Sequence, residues 1–125
     1  MNLIDEQLKI LQEEFEGANL TLLPGGSQLV MVPHVKLPDG WSQKEITVKF
    51  VILANYPHSA PDCFWTDQNL KLKNGTLPKN TNPQVIPGTS YNELWFSWHA
   101  GRWSPNRDTL LTYMKVIEAR LREAQ

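Results

Sequence analysis

Ile4, Leu8, Leu11 and Phe15 recur at the spacing of one helical face, with Asp, Glu, Gln and Lys filling the positions between them. The pattern predicts an amphipathic helix over residues 2–16, stopped by Gly17. From there the apolar period shortens to two. Residues 19–23 and 28–37 read as strands joined by the turn Pro24-Gly25-Gly26-Ser27. Pro33 falls in the middle of the second strand and predicts a sheet edge or a bulge there. Past a second turn at Leu37-Pro38-Asp39-Gly40, residues 45–54 give the clearest strand of the chain. In it Ile46, Val48, Phe50 and Ile52 alternate with Thr47, Lys49 and Val51.

The second half is less regular. Pro57 and Pro61 clamp a turn ahead of the short apolar strand around Cys63-Phe64-Trp65, and Asn69 to Asn80 reads as a loop carrying the turn dipeptide Asn74-Gly75. Pro78 to Thr89 is rich in Pro, Asn, Thr and Gly without apolar period, which predicts a long surface loop of the kind that often carries function. Next comes Glu93 to Pro105, with Trp95, Trp98 and Trp103 and no helical periodicity. If this run is extended, Ser97 and His99 point to one side and Trp98 to the other. Asp108 is placed as the cap of a final helix whose buried face holds Leu110, Met114, Ile117 and Leu121. Helix, four-stranded antiparallel meander and helix make an α+β fold. Its expected core includes Leu8, Leu11, Phe15, Val48, Phe50, Phe64, Trp103, Leu110, Met114 and Ile117.

Composition narrows the function classes. The 125 residues read as one domain, 1–125, with enough apolar content for an ordinary globular core. A formal net charge of −1 offers no basic excess to neutralise phosphates, so nucleic acid is not an expected partner. No apolar run approaches a membrane span, no secretory leader pattern opens the chain, and the expected location is cytoplasmic. The single cysteine, Cys63, cannot form an internal disulfide. His34, His58 and His99 are scattered and no Cys/His cluster has zinc spacing, so neither a metal nor a cofactor is expected.

The order of these elements and motifs resembles the ubiquitin-conjugating enzyme fold. Tyr56, Pro57, Pro61, Phe64 and Thr66 are similar to the family's Tyr-Pro segment and the strand after it. Asn74-Gly75 and Trp103-Ser104-Pro105 are similar to its Asn-Gly and Trp-Ser-Pro motifs. The departures are specific. There is no His-Pro-Asn near Asn69, and one helix instead of two follows Trp-Ser-Pro. The family's cysteine position falls on Pro78 counted from one anchor and on Trp95 counted from the other. Phe96-Ser97-Trp98-His99 resembles the Trp-Ser-x-His element of divergent bacterial members. The resemblance implies a ubiquitin-carrier-like transferase of a bacterial ubiquitin-like conjugation pathway. Its partners would be an activating-enzyme-like protein and a ubiquitin-like modifier protein. The alternative it implies is a catalytically inactive variant that binds partners as a scaffold.

The candidate catalytic residues are Ser97 and His99. A serine needs a base within reach to attack at all, and this is the only hydroxyl–imidazole pair that the local sequence offers. Ser97 would take the modifier as an oxyester with His99 as base. The plainer reading, a polar strand residue and a loop histidine, stands beside it. Cys63 lies in a strand expected to be buried, without a flanking cation to lower its pKa, and reads as a structural residue. Trp103 is expected to plug the base of the last helix, and one of Trp95 and Trp98 to be exposed. Asn69 or Asn74 offers an amide for an oxyanion, although an Asn in Asn-Gly is more often a turn residue.

Overall fold

The computed structural model describes residues 2–125. The elements are α1 (Leu3–Glu14), β1 (Asn19–Leu22), β2 (Gln28–Lys36), β3 (Glu45–Ile52), β4 (Phe64–Thr66), β5 (Thr81–Val85), β6 (Asn92–Phe96) and α2 (Leu110–Leu121). The strands form one antiparallel sheet in the order β1-β2-β3-β4-β6-β5. The α+β class and the two terminal helices are as expected, but the sheet has six strands, not four.

The two added strands correct the second half. The loop expected over Pro78 to Thr89 contains β5, which pairs with β6 from Thr81↔Phe96 to Val85↔Asn92. Strand β5 is an edge strand with most of its side chains exposed, so it buries no face and writes no apolar alternation. Its Pro83 fits the edge, where one missing N–H need not break a ladder on the outer side. Backbone pairing to β6 carries it. At Pro33, by contrast, the strand is interior, and of the two expected options the bulge is realised. The β2–β3 register shifts between Val32 and Val35, with His34 at a φ of 58°.

One face of the sheet packs against both helices. Ile46, Val48, Phe50 and Ile52 all point into this core, as their alternation requires. Phe64 stacks on Phe96 with ring centroids 4.5 Å apart, and Phe50 meets Tyr113 edge-on at 5.0 Å. Of the expected core, Leu11, Val48, Phe50, Phe64, Leu110, Met114 and Ile117 are buried; Leu8, Phe15 and Trp103 are half-buried against it.

Gln7, a polar residue on the helix face, is also buried. Its Oε1 accepts from Tyr56 Oη and from the Leu110 N–H at 3.0 Å, joining α1, the Tyr56 turn and the start of α2. The cap of α2 is Thr109, not Asp108: Thr109 and Thr112 cap each other's backbone N–H groups reciprocally. Asp108 instead closes the preceding turn, where its carboxylate accepts from the Ser104 N–H at 2.6 Å and its own N–H donates to the Ser104 carbonyl. An aspartate one residue ahead of a threonine is indistinguishable from a cap until that turn is seen.

Candidate functional site

The candidate site forms where β4 and β6 run out of their ladder. Phe64↔Phe96 is the last register pair at that end. Beyond it the Cys63 N–H donates to the Trp98 carbonyl at 2.9 Å, and the Ser97 N–H donates to the Asn80 carbonyl at 2.8 Å. The strip after Phe96 therefore stays extended between two neighbours, and the alternation of β6 continues through it. Trp98 packs against the helix-facing core beneath the Arg120 guanidinium, 5.5 Å from its ring. Trp95 faces the other way, against a smaller cluster containing Leu29 and Trp65. Both tryptophans are half-buried, so the expected exposed one does not exist.

Arg120 ties this floor to the rest of the molecule. It is buried, with its guanidinium donating to the carbonyls of Lys79, Glu123 and Gln125. Burial lowers its pKa, and the three carbonyl partners satisfy the charged form. Lys79 adjoins Asn80, so one side chain fixes both the Trp98 ring and the segment that receives the Ser97 N–H.

Ser97 and His99 line one open hollow of about 410 Å³ together with Asn80, Trp98 and Gly101. No hydrogen bond joins the two side chains among the described residues. His99 is instead oriented by Asp62, whose carboxylate bonds Nδ1. A proton on Nδ1 shared with a carboxylate leaves Nε2 as the ring's acceptor. The pair sits in the open, the His99 side chain 65% and the Asp62 side chain 66% exposed. On the far side of His99 a second hollow, about 400 Å³, is lined by Ser59, Pro61, Asp62, Arg102 and Trp103 among others. Trp103 closes it off from the core: its Nε1 donates to the Pro57 carbonyl at 2.8 Å, and its ring lies 6.0 Å from that of Tyr56. It is a half-buried brace between the Pro57–Pro61 turn and the strip, more than a plug under α2.

Cys63 is buried, as expected, and held in the left-handed region at a φ of 65°. Its backbone is pinned at both ends, the N–H by Trp98 and the carbonyl by Tyr113 Oη at 2.9 Å. Burial pushes the thiol pKa up and the hydrogen bond from Trp98 offsets part of this, so the group is protonated at neutral pH. The sulfur, a His99 ring nitrogen and an Asp62 oxygen nevertheless lie within 4.8 Å of one another.

The candidate asparagines separate. Asn74 Oδ1 accepts from the N–H and hydroxyl of Thr76, and Gly75 has a φ of 90°, so Asn74 is a turn residue. Asn69 does not line the hollow either. The asparagine that does is Asn80, in the stretch expected to be loop.

Asp62 and Asn80 are the residues that sequence reasoning missed. The signal for Asp62 was register: once Phe64 faces Phe96, the residue two before Phe64 stands opposite the start of the Trp98-His99 strip. That inference needed β6 to be recognised as the partner of β4. Nothing in the local sequence marks Asn80.

Comparison with protein families matches residues 5–124 to "Prokaryotic E2 family E". Searches among curated proteins and among solved structures returned no match. Among the described residues no helix is long and apolar enough to cross a membrane.

Proposed function

Because the chain belongs to prokaryotic E2 family E, which implies a role in ubiquitin-like conjugation, we propose that it is a conjugating transferase that carries its modifier as an oxyester on Ser97. The observation that supports this reading most is the Asp62–His99 hydrogen bond. It gives a surface imidazole a fixed orientation and an accepting Nε2, in the hollow that Ser97 also lines.

In the proposed step the modifier arrives as a thioester of a separate activating enzyme, which uses the nucleotide. Ser97 Oγ attacks the carbonyl carbon while His99 Nε2 takes its proton. The carbon–sulfur bond breaks, and the departing thiolate receives that proton. The product is a Ser97 ester, which an amine of the target then cleaves to an amide with release of the serine hydroxyl. Asp62 holds the ring through its bond to Nδ1. Asn80 also lines the hollow, and in this reading its amide would donate to the developing oxyanion. Cys63, protonated and enclosed, is left out of this step.

The test is the kind of bond formed. Incubated with the modifier, its activating enzyme and ATP, the wild-type protein should form an adduct that survives thiol reductants and is released by mild hydroxide. Ser97→Ala should remove it, and Ser97→Cys should make it reductant-labile. An adduct that persists in Ser97→Ala would refute the assignment. A wild-type adduct that reductants cleave would pass the role to Cys63. Binding of the modifier or the activating enzyme with no adduct at all would favour the scaffold reading.

A further inference from the structure

The juxtaposition of Asp62, Cys63 and His99 has a use that ester chemistry does not draw on. From the sequence no metal site is expected, because the cysteine and the histidine stand far apart along the chain and neither belongs to a local cluster. The fold removes that separation. Pairing of β4 with β6 sets Cys63 beside the Trp98-His99 strip, and the carboxylate, thiol sulfur and imidazole nitrogen come within 4.8 Å of one another. We propose that Asp62, Cys63 and His99 form a binding site for a zinc-class divalent ion, and that its occupancy switches the Ser97–His99 site off.

Three properties of the cluster support this. The first is the donor set: a soft thiolate, a borderline imidazole and a hard carboxylate are the three ligand types that zinc, a borderline ion, accepts. Donors a few ångströms apart need only small side-chain rotations to surround one ion at bond lengths of about 2.0–2.3 Å.

The second is preorganisation. The Cys63 main chain is held by Trp98 on one side and Tyr113 on the other in a conformation that non-glycine residues seldom adopt. The Cys63 backbone is therefore held beside the Trp98-His99 strip, and Asp62 adjoins it in the chain. Two of the three donors need no loop ordering to come together.

The third is access. Asp62 and His99 are mostly exposed and border the open hollow of about 400 Å³, while the Cys63 sulfur, within 4.8 Å of their donor atoms, belongs to a buried residue. A hydrated ion would meet the carboxylate and imidazole first and the sulfur last. As the metal–sulfur bond forms, the thiol releases its proton to solvent and the ion takes its place. That exchange supplies the charge compensation the buried sulfur otherwise lacks. Three protein ligands leave a fourth position for water.

The regulatory half rests on the proposed role of His99. A ring bound to the ion and released from its Asp62 hydrogen bond cannot serve Ser97 as an oriented base. The site would then report free zinc as loss of transfer activity.

The experiment separates the two halves. Purified wild-type protein is titrated with Co²⁺ alone, followed by visible and near-ultraviolet absorption. The expected result is one ion per chain, with intense tetrahedral visible bands and a near-ultraviolet sulfur-to-cobalt band that one equivalent of Zn²⁺ abolishes. Cys63→Ser should lose the sulfur band. Cys63→Ser and His99→Ala should each weaken binding roughly 100-fold, at or beyond the 10–100-fold typical of losing an outer partner of a ligand. His99 is exposed, so its variant keeps the test interpretable even where Cys63→Ser folds poorly. Cobalt bound without the sulfur band, or equally by wild type and His99→Ala, would overturn the site. Adduct formation is then assayed with and without one equivalent of Zn²⁺. Zinc should block the wild type and spare Cys63→Ala. Zinc that binds with the expected spectrum yet leaves adduct formation untouched would overturn the switch while keeping the site. If no adduct forms in zinc-free buffer, the transferase reading fails and the switch with it, while the cobalt spectra still decide the site.

Discussion

Two histidines of this chain lean Nδ1 on a surface carboxylate, and only one of them stands where chemistry is within reach. His34 bonds Glu45 at 3.1 Å across the β2 bulge, and His99 bonds Asp62 across the ends of β4 and β6. Exposure does not distinguish them, with side chains 74% and 65% accessible. Their neighbours do. Glu45 also accepts from Lys36 Nζ at 2.8 Å, and these bonds hold its carboxyl below the usual range, the lysine contributing most. The hollow beside His34 is walled by Glu14, Phe15, Glu16, Gly17 and Pro33, which include no hydroxyl and no thiol. His99 shares its hollow with Ser97 and Asn80 and has Cys63 beneath it. A histidine–carboxylate pair is thus a common way to tie two strands. The groups gathered around the ring turn one such tie into a candidate site.

The largest effect should come from breaking the two histidines in parallel. His99→Ala should slow adduct formation by roughly 10²–10⁴-fold, the usual cost of losing a general base. His34→Ala should leave the rate within about twofold of wild type, since it touches nothing near Ser97. Single-turnover gel assays of both variants decide this. Equal rates for the two variants would show that the hollow confers nothing on His99. Next in size, Asp62→Asn should slow the reaction by about 10–100-fold, as losing an orienting partner of a functional histidine does. The base remains and only its orientation is lost. An Asp62→Asn variant with unchanged rate would make the Asp62 bond a tie like that of Glu45.

The frame around the site gives a smaller effect, on stability. Trp103→Ala removes a half-buried indole and its hydrogen bond to Pro57. Chemical denaturation should show a loss of about 2–3 kcal/mol, below the 3–5 typical of fully buried aromatics. The Pro57–Pro61 turn that carries Asp62 should loosen with it. A Trp103→Ala variant of wild-type stability and full activity would show that the turn holds its place without the indole.

How much of this was legible in the sequence follows from what each residue signals locally. Apolar period gave α1, β3 and α2 because each buries one face against the same core, and Ile46, Val48, Phe50 and Ile52 announce that face directly. Strand β5 buries almost nothing, and the backbone bonds that hold it leave no mark on side-chain choice. Ser97 and His99 were visible as a hydroxyl and an imidazole two residues apart. Asp62, which orients His99, is thirty-seven residues away and reaches it only through the β4–β6 pairing. The same holds for Gln7, whose amide lies 103 residues from the helix start that it serves. Polar partners brought together by topology carry no periodicity, so sequence patterns find the strands and miss what the strands deliver.

The smallest expected effect lies at the unproductive pair, and it fixes the baseline for the comparison. Glu45 is exposed, so its bonds to Lys36 and His34 are screened by water and contribute little. Their sign is still defined. With Lys36 beside it, the carboxyl has a lower pKa in the folded chain than in the unfolded one. Its stabilisation is therefore complete above the unfolded pKa and is lost as pH falls through the folded one. Thermal melts of wild type and Glu45→Gln should differ slightly at neutral pH, wild type higher, and converge in acid. Adduct formation should be the same in both. A gap that widens on acidification would mean that Glu45 stabilises the fold through something other than its cationic neighbours. A change in the adduct rate would link the β2 bulge to Ser97, which lies beyond every contact that Glu45 makes.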